Sequence, residues 1–218
     1  MEAIVLAAGK GVRMHLDYPK QFMKIGGKPC FIYVLEALNS CPQIETVYVT
    51  CNKDYMDEYR EYARMYDIRN TCFIEGGATR QESVYKALQH VKSDKVLIHE
   101  AARPLISVEF IEEIISHEDE DAVIPTVPLT FTVAQGDDYM TGETDRSKLH
   151  NIQLPQMFTV SKLRAAHEAA IADGYTATED GMLAFHYGVK VRFVPGRDSN
   201  IKITTPFDIH IVEKLLKL

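Results

Sequence analysis

The sequence predicts an α/β protein, a three-layer α/β/α sandwich around a mostly parallel sheet, and three observations lead there. Residues 2–8 (EAIVLAA), 47–51 (VYVTC), 72–75 (CFIE), 95–99 (KVLIH) and 122–125 (AVIP) are short, nearly continuous apolar runs, the pattern of strands covered on both faces. Between them, residues 29–39, 54–66, 80–91 and 108–117 carry apolar side chains at helical spacing. Strands that alternate with helices of this length pair in parallel, with crossover helices on both sides of the sheet.

The pattern changes after Pro125. Residues 129–153 hold polar turns at Gln135-Gly136-Asp137-Asp138 and Thr141-Gly142 and no helical period, so they read as a projecting β arm. An arm of this kind does not stay folded alone, which points to pairing with a second subunit. Helical spacing returns at 161–172 and 179–187, and a strand follows at 189–194. The last helix starts after Thr205, with Pro206 in its first turn and Asp208 three residues past the cap. No repeat or linker interrupts the chain, so residues 1–218 form one domain, with the arm as an insertion.

Composition narrows the function. The 218 residues, 46% hydrophobic and 25% charged, are enough for one sizeable core. No apolar run approaches the roughly 20 residues of a spanning helix. Residues 1–6 (MEAIVL) lack a basic n-region, and the apolar stretch stops at Gly9-Lys10-Gly11, so the expectation is a cytoplasmic protein without membrane attachment. A net charge of −7 speaks against a nucleic-acid partner. The first 28 residues nevertheless hold Lys10, Arg13, Lys20, Lys24 and Lys28 against Glu2 and Asp17, which suits a pocket for a small polyanion. Cys30, Cys41, Cys51 and Cys72 make no C-x-x-C pair and read as buried thiols. His15, His90, His117, His186 and His210 show no ligand spacing, and Tyr55, Tyr59, Tyr62 and Tyr66 mark one helix face.

Ligands of an open parallel sheet bind beyond the carboxyl ends of its strands, so the residues after each strand matter most. After the first strand come Ala7, Ala8, Gly9, Gly11, Arg13 and, further on, Lys20. Small residues let backbone amides approach phosphate, and the two cations offset negative charge. A tight turn with exposed cations is the plainer alternative. The loop fits neither G-x-x-x-x-G-K-[ST] nor G-x-G-x-x-G, since Met14 stands where the third glycine belongs. After the third strand, Gly76, Gly77 and Ala78 lead into a helix carrying Arg80 and Ser83, suited to an anion or a base edge; such a turn serves packing equally well. After the fourth, Glu100 precedes Arg103 by three residues. Glu100 can hold Mg²⁺ while Arg103 pairs with a phosphate, or the two form an ion pair.

In order along the chain, Leu6–Met14, Pro19-Lys20-Gln21, the Gly76-Gly77…Arg80…Ser83-Val84 turn, His99-Glu100-Ala101-Ala102-Arg103-Pro104, Asp145-Arg146, Pro155-Gln156 and Asn200–Pro206 resemble the 2-C-methyl-D-erythritol 4-phosphate and ribitol 5-phosphate cytidylyltransferases over nearly the whole chain. The resemblance implies a nucleotide-diphospho-sugar transferase type of fold. It also implies Mg²⁺-dependent transfer of CMP from CTP to a small polyol phosphate with release of pyrophosphate, Mn²⁺ being an alternative metal. By the same resemblance Arg13, Lys20 and Lys202 stabilise the triphosphate and transition state. Ala7, Ala8, Gly77, Ala78 and Ser83 hold cytosine and ribose, and Arg103, Thr132 and Arg146 contact the polyol phosphate. The arm reaches a neighbouring subunit's site, which makes a homodimer.

Departures from the family pattern cluster. The aspartate of H-D-A-A-R-P is Glu100, the acid of P-V-x-D-T is Phe131, the threonine before Pro155-Gln156 is Leu154, and T-D-E-A-S becomes Thr178-Glu179-Asp180-Gly181-Met182. Nucleotide-side positions are kept while polyol-side positions change, so the acceptor need not be methylerythritol phosphate. Two other readings stand beside this one: a nucleotide-binding protein without turnover, and a nucleotidyltransferase of different base specificity.

Overall fold

At the centre lies β1 (Glu2–Leu6), a strand with no polar side chain between Ala3 and Leu6. The computed structural model describes residues 1–9 and 20–217, Lys20 by its backbone alone, so Gly11 and Arg13 lie outside the described residues. A small hairpin, β2 (Lys24–Ile25) and β3 (Lys28–Pro29), leads into α1 (Cys30–Ser40). Strands and helices then alternate: β4 (Thr46–Cys51), α2 (Met56–Met65), β5 (Thr71–Glu75), α3 (Arg80–Leu88), β6 (Lys95–Glu100), α4 (Val108–Ile115) and β7 (Ala122–Pro128). A second hairpin, β8 (Ala134–Gly136) and β9 (Met140–Glu143), is followed by β10 (His150–Ile152) and β11 (Gln156–Thr159). The chain ends with α5 (Val160–Asp173), α6 (Asp180–His186), β12 (Val191–Pro195) and α7 (Pro206–Leu215).

The main sheet has eight strands, and β5, β4, β1 and β6 follow one another in parallel register. Next to β6 comes β11, antiparallel to both β6 and β7, and β12 lines the other edge of β7 in parallel. Residues 150–152, read from the sequence as part of the arm, instead pair with β7 in line with β11. The arm is therefore shorter than expected, and its free part is the β8–β9 hairpin.

Period-two alternation along the strands divides the core. Ala3, Val5, Leu97, Val123 and Met157 face α1, α2 and α4, while Ile4, Val96, Ile98, Ala122 and Phe158 face α3, α5 and α6. Three layers result, as the sequence predicts. Three helix starts follow side-chain caps: Thr79 accepts from the Glu82 amide before α3, Ser107 from the Phe110 amide before α4, and Thr205 with Asp208 forms a capping box at α7. Gly174 ends α5 at φ 66°, a conformation other residues adopt only with strain.

The tyrosine face of α2 packs as expected. Phe22 stacks among Tyr55, Tyr59 and Tyr62, and the fully buried Tyr59 donates its hydroxyl hydrogen to Ala7 O at 2.9 Å. Of the cysteines, Cys30, Cys41 and Cys51 are buried, whereas Cys72 is exposed because the edge strand β5 turns it outward. No helix among the described residues is long and apolar enough to cross a membrane.

Candidate active site

The carboxyl ends of the parallel strands are drawn level by bonds that continue the ladders past the strands. Ala7 N–H donates to Thr50 O at 2.8 Å, Gly76 N–H to Cys51 O at 2.9 Å and Ala101 N–H to Leu6 O at 3.1 Å. Above them opens a cleft of about 980 Å³. Ala8 and Gly9 from the first loop, Gly77, Ala78, Arg80 and Ser83 from the third, and Glu100 and Lys202 line it. Residues scattered over nearly 200 positions of sequence thus meet where the sheet topology places a ligand.

The first and third loops touch. A Cβ on Gly76 would stand 2.4 Å from Ala8 Cβ, so the absence of a side chain there lets the two loops close. The first loop is pinned by Gln21, whose amide donates to Gly9 O at 3.0 Å, and by the Tyr59 hydroxyl on Ala7. In the third loop, Gly77 N–H donates to Ser83 Oγ at 2.9 Å and Ala78 N–H to Glu82 Oε2 at 2.8 Å. These amides, read from the sequence as donors for an anion or base, are occupied by the helix's own side chains. What the turn offers a ligand is its surface and the Ser83 hydroxyl, which itself donates to Thr79 O at 2.9 Å.

Glu100 ends β6 on the cleft floor, ringed by cations. Lys202 Nζ lies 2.7 Å from Oε2, Arg103 Nε 3.7 Å from Oε2 and Arg80 Nε 3.5 Å from Oε1. Burial alone would push its carboxyl up, but Lys202, Arg80 and Arg103 outweigh it and hold it down at about 2. Arg80 reaches further, to Glu179 and Asp180 at the start of α6, each at 2.8 Å. Burial raises Glu179 despite the opposing pull of Arg80. Three carboxylates and three cations therefore balance, and the cluster is neutral among the described residues.

Lys202 is placed by backbone. Ile203 N–H donates to Ala102 O at 2.9 Å, and Arg103 Nη1 donates to Asn200 O at 2.9 Å. Asp208 Oδ2 receives the amides of Thr204 and Thr205, both at 2.7 Å, fixing the turn into α7. Arg103 itself is largely buried, engaged by Glu100 and this carbonyl. Thr132 and Arg146 stay on the arm, away from the cleft of their own chain, where Arg146 donates to Thr130 O at 2.9 Å. Leu154 is fully buried with Val96, Ile98 and Phe158, so this departure alters packing and not the cleft wall.

Sequence reading missed Glu179 and Asp180 as the partners of Arg80, since 100 residues separate them and no local spacing announces the contact. It also missed Lys86, on the cleft rim, whose ammonium donates to Gly76 O at 3.2 Å; helical spacing three residues after Ser83 was the available signal.

A hard oxygen ligand such as Glu100 suits Mg²⁺ when substrate phosphates complete the shell. Among the described residues no group of three His, Cys, Asp or Glu forms an all-protein metal cage. Glu179 and Asp180 are committed to Arg80 and do not line the cleft, whereas Glu100 does, as do Asp54, Glu75 and Glu82.

Comparison with known proteins places the chain in a family. The sequence model of the IspD, 2-C-methyl-D-erythritol 4-phosphate cytidylyltransferase, family matches residues 1–218. The chain is 37% identical over 217 residues to the 2-C-methyl-D-erythritol 4-phosphate cytidylyltransferase of Bacillus cytotoxicus, covering 98% of this chain and 96% of that protein. With the enzyme of the same name from Geobacillus thermodenitrificans it shares 36% over 219 residues, 99% and 96% of the two chains. Among solved structures, the 4-diphosphocytidyl-2C-methyl-D-erythritol synthase of Anaerococcus prevotii superposes with a TM-score of 0.86 at 30% identity, covering 100% of this chain and 98% of that one.

Proposed function

The chain belongs to the 2-C-methyl-D-erythritol 4-phosphate cytidylyltransferase family and is a nucleotidyltransferase, and we propose that it transfers CMP from CTP to 2-C-methyl-D-erythritol 4-phosphate or a related polyol phosphate such as ribitol 5-phosphate. It does so as a cytoplasmic homodimer, dependent on Mg²⁺ or Mn²⁺, with pyrophosphate as the leaving group. The observation that carries this reading is the Lys202–Glu100 pair on the floor of a cleft at the strand ends, with the small-residue loops of Ala8 and Gly76 above it.

An acceptor phosphate oxygen attacks the α-phosphorus of CTP, and the bond to the bridging oxygen of the β-phosphate breaks. No covalent enzyme intermediate is required. Negative charge gathers on the non-bridging and leaving oxygens, and fixed cations lower that barrier most. Lys202 is one of these cations. Its ammonium now rests on Glu100, and a triphosphate offers it a more highly charged partner. The cluster is neutral, and the further positive charge that meets CTP comes, by the family resemblance, from Arg13 and Lys20 and from a metal that Glu100 and the phosphates would hold. When bound, the metal neutralises phosphate charge and orients the reacting oxygens. Gly9 and Gly11 let the triphosphate approach the backbone, while Ala7, Ala8, Gly77, Ala78 and Ser83 hold cytosine and ribose. Arg103, with Thr132 and Arg146 from the arm of a second subunit, receives the acceptor phosphate.

The test is product formation with each of CTP, UTP, ATP and GTP against methylerythritol 4-phosphate, ribitol 5-phosphate, ribulose 5-phosphate and glycerol 3-phosphate. Cytidylylated product from CTP with one of these acceptors is the expected result. Nucleotide-dependent thermal stabilisation without product from any acceptor would favour a binding protein instead.

A further inference from the structure

Arg80 stands in the first turn of α3, where the helix dipole disfavours a cation, yet among the described residues it is the most heavily paired cation of the site. Nη1 meets Asp180 and Nη2 meets Glu179, both at 2.8 Å, and Nε faces Glu100 Oε1 at 3.5 Å. Each guanidinium nitrogen lies within ion-pair distance of a carboxylate, and two of the three carboxylates come from the start of α6. Asp180 is 1% exposed. A buried arginine enclosed by three carboxylates this way is held in place by charge and is not an arm that follows a phosphate.

We propose that Arg80 is a positioning residue that acts through Glu100, and that Glu179 and Asp180 hold it in place for that purpose. The two oxygens of Glu100 have different partners. Oε2 is faced by Lys202 and Arg103, and Oε1 by Arg80. Lys202 is about one-third exposed on a flexible stem, and in the reaction proposed above it turns toward the triphosphate. Once it leaves, the Arg80 charge beside Oε1 still holds the carboxylate in place at the end of β6. α6 thereby sets the orientation of a group at the end of β6 although neither Glu179 nor Asp180 needs to touch a substrate. Loss of this hold is felt in turnover and not in nucleotide affinity, because Glu100 misplaced by an ångström still leaves the nucleotide loops intact.

The inference rests on the working role given to Glu100 under the proposed function, and a double-mutant cycle separates the two. Arg80→Met is expected to lower kcat at least about tenfold with the KM for CTP within about twofold, and to lower it less than about twofold in a Glu100→Gln background. Arg80→Lys, which keeps the charge without the fork, should recover part of the loss. If Arg80→Met does not fold, Glu179→Gln carries the same cycle, since it keeps side-chain size and loosens Arg80 from the α6 side. Equal fractional losses in both backgrounds overturn the proposal, as does a loss that falls on the KM for CTP, which would mean that Arg80 meets the nucleotide directly. A Glu100→Gln enzyme with unchanged kcat overturns both this proposal and the role of Glu100 itself.

Discussion

At the scale of single residues, the site is a set of charges that satisfy one another until a nucleotide arrives. Lys202 is the cation with the best access to the cleft among those on Glu100, being 31% exposed where Arg103 is 11%. Lys202→Met is expected to lower kcat about 100-fold or more, the usual scale for removing one group aimed at developing charge, while the melting temperature changes little. Steady-state product formation with matched thermal melts checks it, and a loss confined to KM would reduce Lys202 to a ground-state contact. The acidic departures from the family pattern, Glu100, Glu179 and Asp180, converge on Arg80, so they are neighbours that adjust together. Motif reading found Glu100 and Lys202 because their segments are distinctive. It could not find the α6 acids as partners of Arg80, because a contact across 100 residues leaves no local spacing.

At the scale of elements, the cleft depends on loops that close on one another. The Gly76 position is the clearest case, since any Cβ there collides with Ala8 Cβ at 2.4 Å. Gly76→Ala should push the β1 and β5 loops apart, weaken CTP binding about tenfold and lower stability by about 1–3 kcal/mol, as overpacking of a close contact does. A binding titration with CTP decides it; unchanged affinity would show that the two loops part without harm. The sequence marks both loops through their small residues, and it marks the helices through periodicity and caps. It does not mark β11, which has only four residues and opens on a buried glutamine, Gln156, whose amide nitrogen donates to Gln153 O and whose oxygen accepts from Gly181 N–H. A strand that short carries too few alternations to stand out, and its place between β6 and β7 is set by pairing alone.

At the scale of the whole molecule, two predictions concern assembly and acid stability. The arm exposes Phe131 (83%), Tyr139 (85%) and Met140 (66%), and among the described residues its hairpin is paired only within itself. A two-stranded ribbon with such side chains in water is marginal, so a second subunit is its expected support. Deleting residues 134–143 should convert a dimer to a monomer in sedimentation and abolish product formation while CTP still binds. A deletion variant that sediments like the parent would remove the arm from the interface. For acid stability, buried His99 and His167 respond first, since burial pulls both imidazoles below the ordinary value; His99 has the sharper prediction. Burial pulls its imidazole down to about 4, and as the neutral form its Nε2–H donates to Arg103 O at 3.1 Å. The unfolded chain takes up this proton below about 6.5 and the folded one does not. The stabilisation is therefore complete above pH 6.5 and is lost as pH falls toward 4, on the order of 3 kcal/mol in all. Glu100, also held low, adds its loss between about pH 4.5 and 2. Thermal melts should fall across pH 6.5 to 4 in the parent and fall less in His99→Gln; parallel curves would acquit His99.

By itself the sequence determined the three-layer class, the helix starts, the loops at the strand ends and the family, because these are local signals: apolar period, capping residues, and small or charged residues at fixed offsets. Only the tertiary structure decided that β11 enters the sheet antiparallel, that β10 leaves the arm to pair with β7, that the third-loop amides are occupied by Ser83 and Glu82, and that Arg80 is shared among three carboxylates. The physical reason is common to the sheet pairings and to Arg80. Strand pairing and buried charge compensation join segments far apart in the chain, and their free energy comes from partners whose identity is fixed only when the sheet has closed.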